Sequence, residues 1–472
     1  MTCEPMNVRP AAESRFEELT PQGLRTVRRW AISITIGSFL FGFDTGIISG
    51  ALLFIREDLG LTSFEQSSVV SVLLLGAVAG ALVSGRIADR YGRRPLLAAL
   101  GAVFFFGIVA AAIAGGYWLL MLGRFVMGLA VGGVSATVPT YLGEMAPPQI
   151  RGRILTLNQL LITVGLLASY IVNWAFADSE QWRAMFLVGA VPAALLVIAC
   201  VWLPESPVWL IDRGRTAEAR KTLERVTRPG IPDRVIARYE EPDRGDRDGT
   251  GGESGRARAL LTRTVRPALL VAVILAALQQ FCGINTILYY APTIMETTGL
   301  SASNAIYYSV FIGVINVIIT MVSVSQIDRI GRRPLLLVSL VGMGISIALL
   351  GVAFAAELSP VITLLFMLLY IVAFGIGMGP VFWVLLGEIF PTSLRAEGSS
   401  AGATVNWLSN FLVSLVFLPL IDAIGQASTF WLFAGVCAAG VVFVAIWVPE
   451  TRNRHADEVA AELHRRWSVQ AH

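Results

Sequence analysis

The chain has 472 residues, 55% of them hydrophobic and 15% charged, with a formal net charge of +3 and a mean hydropathy of +0.68. Soluble domains carry nearer a quarter charged residues, and a membrane β-barrel would alternate apolar and polar residues in strands of about ten. An all-α, multi-pass membrane protein remains, and the small net charge gives no reason to expect nucleic acid as a partner.

The first 25 residues are polar, carry both signs of charge and lack the short apolar core of a cleaved signal peptide, so they read as a soluble tail before an uncleaved first span. Apolar runs then predict twelve transmembrane spans at about 30–52, 66–88, 96–114, 118–142, 154–177, 183–203, 266–291, 304–327, 335–355, 361–386, 398–420 and 428–448. Between the sixth and seventh lies a polar stretch that opens on PESPVWL. It continues through an amphipathic helical piece, TAEARKTLERV, and a linker-like run, DRGDRDGTGGESG. The expected organisation is an N-terminal six-helix half at 1–203, a cytoplasmic linker with intracellular helices at 204–265, and a C-terminal six-helix half with a short tail at 266–472.

Cys3, Cys200, Cys282 and Cys437 are scattered without metal or disulfide spacing. With the N-terminus inside, Arg56 and Arg183 are the basic residues of the outer loops, and most other arginines fall inside. That asymmetry puts both termini in the cytoplasm.

The chain repeats itself at one membrane edge. DRYGRRP at 89–95 recurs as DRIGRRP at 328–334, GEMAPPQIRG at 143–152 as GEIFPTSLRA at 387–396, and LPES at 203–206 as VPET at 448–451. Such duplication predicts two pseudo-symmetric halves with a site between them, the plan of alternating access. In the short turns, Gly85 and Gly92 are expected to permit close helix approach and tight bends. Asp89 with Arg93, and Asp328 with Arg332, are expected ion pairs of the inner gate. Glu144 and Arg151, facing Glu388 and Arg395, predict an ionic lock between the halves that holds in one state and breaks in another. The alternative is that these arginines only anchor and orient the spans.

Few titratable groups lie deep in the membrane. Asp44, in FGFDTGIISG of span 1, lies about eight residues from the outer end, or ~12 Å deep. Arg124, in span 4, lies about six residues from its outer end, or ~9 Å deep. Matching depth makes them partners, since an opposite charge offsets the cost of burying each. Two readings stay open: a permanent pair that fixes packing, or a proton site at Asp44 tuned by Arg124. All three histidines lie in the C-terminal tail, which leaves Asp44 as the candidate carrier.

Uncharged hydrogen-bonding groups gather at mid-span: Gln159 in span 5, Gln279, Gln280, Asn285, Tyr289 and Tyr290 in span 7, Asn316 in span 8, and Asn406 and Asn410 in span 11. Amides offer donors and acceptors to a ligand rich in hydroxyls, and Trp383 and Trp407 offer flat faces to a sugar ring. Amides also join membrane helices to one another. No basic cluster suits phosphate, and no nucleophile–base or metal constellation suggests an enzyme or a cofactor. In span 10, GIGMGPVFW predicts a loosened helix and a bending gate.

Taken together, FGFDTGIISG, GRIADRYGRRP, GRFVMG, PESPVWL, QQFCGIN with the following YY, DRIGRRP, GPVFW and PET resemble the sugar porters of the major facilitator superfamily, over about residues 30 to 453. The resemblance implies a twelve-helix fold with a monosaccharide site between the halves. It implies sugar contacts from Gln159, Gln279, Gln280, Asn285, Asn316, Trp383 and Asn406, and a cavity lined by Phe41, Tyr289, Phe374 and Trp407. Proton-coupled bacterial members carry an aspartate at the position of Asp44, paired with the span 4 arginine; the animal facilitative glucose carriers have asparagine there.

The chain departs from the xylose-carrying pattern at Leu166, where a second span 5 glutamine is expected, and at Asn406, where a glutamine is expected. Gly375 replaces the span 10 glutamate of the facilitative carriers, and Val324 stands where Gly85 does in the first half. The implied function is a plasma-membrane proton–monosaccharide symporter, for a hexose such as glucose or galactose. Alternatives are a facilitative sugar or polyol uniporter, an inositol or pentose symporter, or a transporter-like sensor. Its partners are the sugar, protons and the lipid bilayer, with no obligate protein partner.

Overall fold

The computed structural model describes residues 20–147, 150–240, 260–262, 265–391, 394–452, 454 and 456–470. Twelve helices in it are long and apolar enough to cross a membrane. They are span 1, Pro21–Asp58; span 2, Ser63–Tyr91; span 3, Arg93–Ala112; span 4, Tyr117–Met145; span 5, Arg151–Ala177; and span 6, Trp182–Trp202. The second half comprises span 7, Arg266–Glu296; span 8, Ala302–Ser323; span 9, Arg332–Ala355; span 10, Pro360–Glu388; span 11, Glu397–Ile424; and span 12, Gln426–Trp447. Many run past the edges expected from hydropathy. An apolar run stops at the first charges, whereas the helix continues into the polar headgroup layer.

Local chemistry sets the ends and breaks. Thr20 accepts from Gly23 N ahead of Pro21, so the first helix starts on a side-chain cap with proline where no N–H is needed. Thr62 and Glu65 form a capping box at the start of span 2. Four helices break along their spans, the first of them span 1 at Thr35. Span 6 is interrupted at Gly189, span 7 at Cys282 and Gly283, and span 10 at Gly377. The span 10 break falls inside GIGMGPVFW, and its free N–H at Met378 is taken by Ser339 Oγ at 2.9 Å.

The two halves repeat one packing pattern. Span 2 packs on span 4, span 1 on span 5, span 3 on span 4 and span 3 on span 6; in the other half 8 packs on 10, 7 on 11, 9 on 10 and 9 on 12. Across the seam, span 2 meets span 11, span 5 meets span 8, and the second piece of span 7 meets span 1.

An even number of crossings puts both described ends on one face, called here the basic end. Three short helices lie between the halves in sequence, Pro207–Asp212, Thr216–Glu224 and Ile231–Glu240. They are fastened to the N-terminal half, where Trp209 Nε1 donates to Asp89 O at 2.8 Å. The helix Thr216–Glu224 lies within the expected amphipathic piece, and the linker-like run lies outside the described residues.

Candidate functional site

Span 1 carries glycine at every fourth position, Gly42, Gly46 and Gly50, so these fall along one helical stripe. A Cβ on Gly42 would lie 1.8 Å from Ile162 O, one on Gly46 2.0 Å from Ser169 Oγ, and one on Gly50 2.6 Å from Asn173. Only the missing side chains let span 5 come this close. Asn173 Nδ2 seals the contact by donating to Gly46 O at 2.9 Å. Asp44, two residues before Gly46, lies off this stripe.

Arg124 Nη1 donates to Asp44 Oδ1 at 2.7 Å, and both residues are 1% exposed. Arg124 Nε also donates to Val69 O of span 2, at 3.3 Å. One carboxylate and one guanidinium thus meet with the surrounding water removed, an arrangement that holds only while both are charged or both are compensated.

Four of the amides expected from sequence, Gln279, Gln280, Asn285 and Asn406, form one connected cluster. Asn285 Nδ2 donates to Gln280 Oε1 at 2.6 Å, and Gln280 Nε2 donates to Asn406 Oδ1 at 3.1 Å. Asn406 Nδ2 donates to Gln279 Oε1 at 2.6 Å, and Gln279 Nε2 donates to Met378 O at 3.0 Å. The cluster therefore reaches the first residue after the span 10 break. Asn410 Nδ2 donates to Tyr289 OH at 3.3 Å. Phe41 of span 1 meets Trp407 of span 11, ring centroids 5.6 Å apart, which brings the halves together beside the amides.

Phe374 lies against Gly379 at the same break, within 2.8 Å of where its Cβ would be. Gln159, Asn316 and Trp383 make no side-chain hydrogen bond with a described residue, and Trp383 is 48% exposed. Leu166 is buried and turned to span 1, with its Cδ1 2.9 Å from a Cβ built on Gly46.

The basic end differs from expectation. Arg93 Nη2 lies 3.0 Å from Glu144 Oε1 and 3.1 Å from Asp89 Oδ1, all in the N-terminal half. Arg332 Nη2 lies 2.8 Å from Glu388 Oε1, both in the C-terminal half. Arg151 and Arg395 are exposed and in no ion pair among the described residues. The lock across the halves is therefore not formed in this conformation; each glutamate takes the arginine that opens the neighbouring helix of its own half. The side chain of Asp328 lies outside the described residues. Gly85 needs no close approach here, since a Cβ on it would meet nothing within 4 Å.

Glu205 and Glu450, from the repeated PES and PET, turn out to organise this edge. Glu205 Oε1 accepts from Arg93 N at 3.0 Å and from Ser206 N at 2.8 Å. Glu450 accepts from Arg332 N at 3.0 Å and Arg333 N at 3.1 Å. Each carboxylate thus caps the N-terminus of span 3 or span 9. The glycine before each helix makes this possible, with φ of 103° at Gly92 and 105° at Gly331. A Cβ at Gly92 would stand 2.2 Å from Glu205 Oε2.

Arg94 Nε reaches back to Cys200 O at 2.7 Å, and Arg333 Nη2 to Ala445 O at 2.5 Å, tying span 3 to span 6 and span 9 to span 12. Burial pushes the Glu205 carboxyl up despite the backbone N–H groups that pull it down. At Glu450 burial also acts upward, but four backbone N–H bonds outweigh it and hold the carboxyl below its ordinary value. The repeat was the sequence signal for both residues.

The far end is joined across the halves. Arg56 Nη2 lies 2.7 Å from Glu296 Oε1, Ser303 Oγ donates to Asp178 Oδ1 at 2.7 Å, and Tyr170 OH donates to Leu288 O at 2.8 Å. No ion pair among the described residues joins the halves at the basic end.

The family model for sugar (and other) transporters matches residues 30–463. The chain belongs to that family.

It is 39% identical to the D-xylose transporter of Levilactobacillus brevis, over 91% of this chain and 94% of the relative. It is 38% identical to the glucose transporter GlcP of Staphylococcus epidermidis, over 91% and 96%. Among solved structures, the inward open conformation of the xylose transporter XylE from E. coli matches with a TM-score of 0.80 and 27% identity, covering 92% of this chain and 99% of that one. The fold is that of a twelve-helix major facilitator transporter.

Proposed function

We propose that this protein is a proton-coupled monosaccharide symporter of the cell membrane, with the basic end in the cytoplasm. The observation that carries the reading is the Asp44–Arg124 pair, 1% exposed and 2.7 Å apart. An ion pair at this depth costs more than apolar packing of the same volume, so its presence argues for work that an apolar pair cannot do. A carboxylate that takes a proton releases its arginine, and the helix that bears it packs through glycines on span 5, the helix of Gln159.

The sugar site in this reading lies between the halves. Gln279, Gln280, Asn285 and Asn406 offer a preformed set of donors and acceptors, Gln159 and Asn316 have hydrogen-bonding capacity to spare, and Trp383, Phe41, Tyr289, Phe374 and Trp407 supply apolar faces. The far end is bridged by Arg56–Glu296, and among the described residues no ion pair bridges the basic end, which supports an inward-facing member of an alternating-access cycle. Inward proton flow adds roughly 2.3 kcal/mol per 100 mV of membrane potential.

A hexose is the preferred cargo. Leu166 removes one amide from the cavity and turns to span 1, which shortens the hydrogen-bonding wall expected for xylose. A pentose remains the second reading, supported by the relative named for D-xylose at 39% identity. Uptake of labelled glucose into proteoliposomes under an inward proton gradient tests both. Competition by galactose but not by xylose supports the hexose, stronger competition by xylose supports the pentose, and no flux for any hexose, pentose or inositol sinks the proposal.

A further inference from the structure

Span 7 consists of two helices that meet at Cys282 and Gly283, and Gly283 has a φ of 94° that favours glycine. Its second piece, Ile284–Glu296, packs on span 1 of the opposite half. Glu296 stands at the tip of this piece, and Arg56 stands in the last turn of span 1. Arg56 Nη2 donates to Glu296 Oε1 at 2.7 Å, with the two side chains 26% and 22% exposed. Among the described residues this is the one ion pair that joins the halves.

We infer that Arg56 and Glu296 form the latch that holds the outer side of the transporter closed. A partly exposed pair adds little to the stability of a fold. Alternating access, however, depends on the difference between two states. A contact made only in the outer-closed state goes whole into that difference, so a modest pair shifts the populations several-fold.

The latch also opens without stranding a charge. Glu57 Oε1 lies 3.7 Å from the same Arg56 nitrogen on the exposed side of span 1, so the guanidinium exchanges one carboxylate for another as span 7 swings away. The hydrogen bonds of Ser303 to Asp178 and of Tyr170 to Leu288 flank the latch. Its loss therefore weakens the closure without abolishing it.

The test needs no substrate and does not depend on which sugar is carried or whether protons drive it. Nitroxide labels at Ser179 and Ser359, exposed on outer loops of opposite halves, report the outer separation in the full-length, lipid-reconstituted protein freed of its native cysteines. E296Q and R56Q should each move the population several-fold toward longer distances, and the R56E/E296R exchange should restore the short one. Raising the ionic strength should lengthen the distance in the protein with Arg56 and Glu296 intact but not in E296Q. Distances that stay unchanged in the single variants and insensitive to salt overturn the latch. So does an exchanged pair that opens as far as either single variant.

Discussion

Asp44 is tolerable in its helix because Arg124 is there, and Arg124 because of Asp44. Removing one partner leaves a buried charge, which typically costs about 3–5 kcal/mol, whereas removing both costs far less. Arg124→Gln should therefore lower the thermal unfolding temperature sharply, and adding Asp44→Asn should recover most of the loss. Unfolding of the purified variants in detergent checks this, and a double variant no more stable than Arg124→Gln contradicts it.

The amide cluster makes a parallel claim. Gln280 bonds both Asn285 and Asn406, so Gln280→Ala leaves buried amides unpaired and removes one of the proposed sugar contacts. Sugar affinity should fall by about 1–3 kcal/mol, roughly five- to 150-fold, by equilibrium binding. Asp44 was legible because a charge inside an apolar run has no other explanation, and its partner followed from depth. The pairing of Glu144 and Glu388 was not, because sequence gives a residue's depth but not which of several equally deep arginines stands beside it. The repeat marked Glu205 and Glu450 but not the helix ends they cap, because a carboxylate at a span end looks like any other headgroup-layer residue.

Among the elements, the paired turns before spans 3 and 9 carry the sharpest consequence. Gly92 and Gly331 hold a left-handed φ that a side chain adopts at a cost of about 1–3 kcal/mol. The added methyl also meets a capping carboxylate, at 2.2 Å for Gly92 and 2.8 Å for Gly331. Gly92→Ala should destabilise the protein more than Gly331→Ala, in thermal unfolding of the two variants; equal or reversed losses would mean that the cap does not need the glycine. The span 10 break was legible because glycines and a proline cluster in GIGMGP. The span 7 break was not, since one glycine in QQFCGIN, among amides that read as ligand contacts, gives no warning that Cys282 and Gly283 end a helix. The glycine stripe of span 1 was likewise invisible as an interface until span 5 appeared against it.

For the molecule as a whole, the duplicated motifs made two six-helix halves legible, and the structure bears out the fold. The conformation was not legible, because both states of a transporter share one sequence and differ by a few kcal/mol at most. Closed at the far end by Arg56–Glu296 and, among the described residues, unbridged by ion pairs at the basic end, this conformation is the inward-facing one of the proposed cycle. In the proposed coupling, the Asp44–Arg124 pair lies in the half that responds when a proton binds. The most direct measurement is sugar accumulation in proteoliposomes under an imposed inward proton gradient, with Asp44 and with Asp44→Asn. The account predicts accumulation above equilibrium with Asp44. With asparagine it predicts equilibration alone, with sugar exchange across the membrane retained. Accumulation by the Asp44→Asn variant to the same level would contradict it.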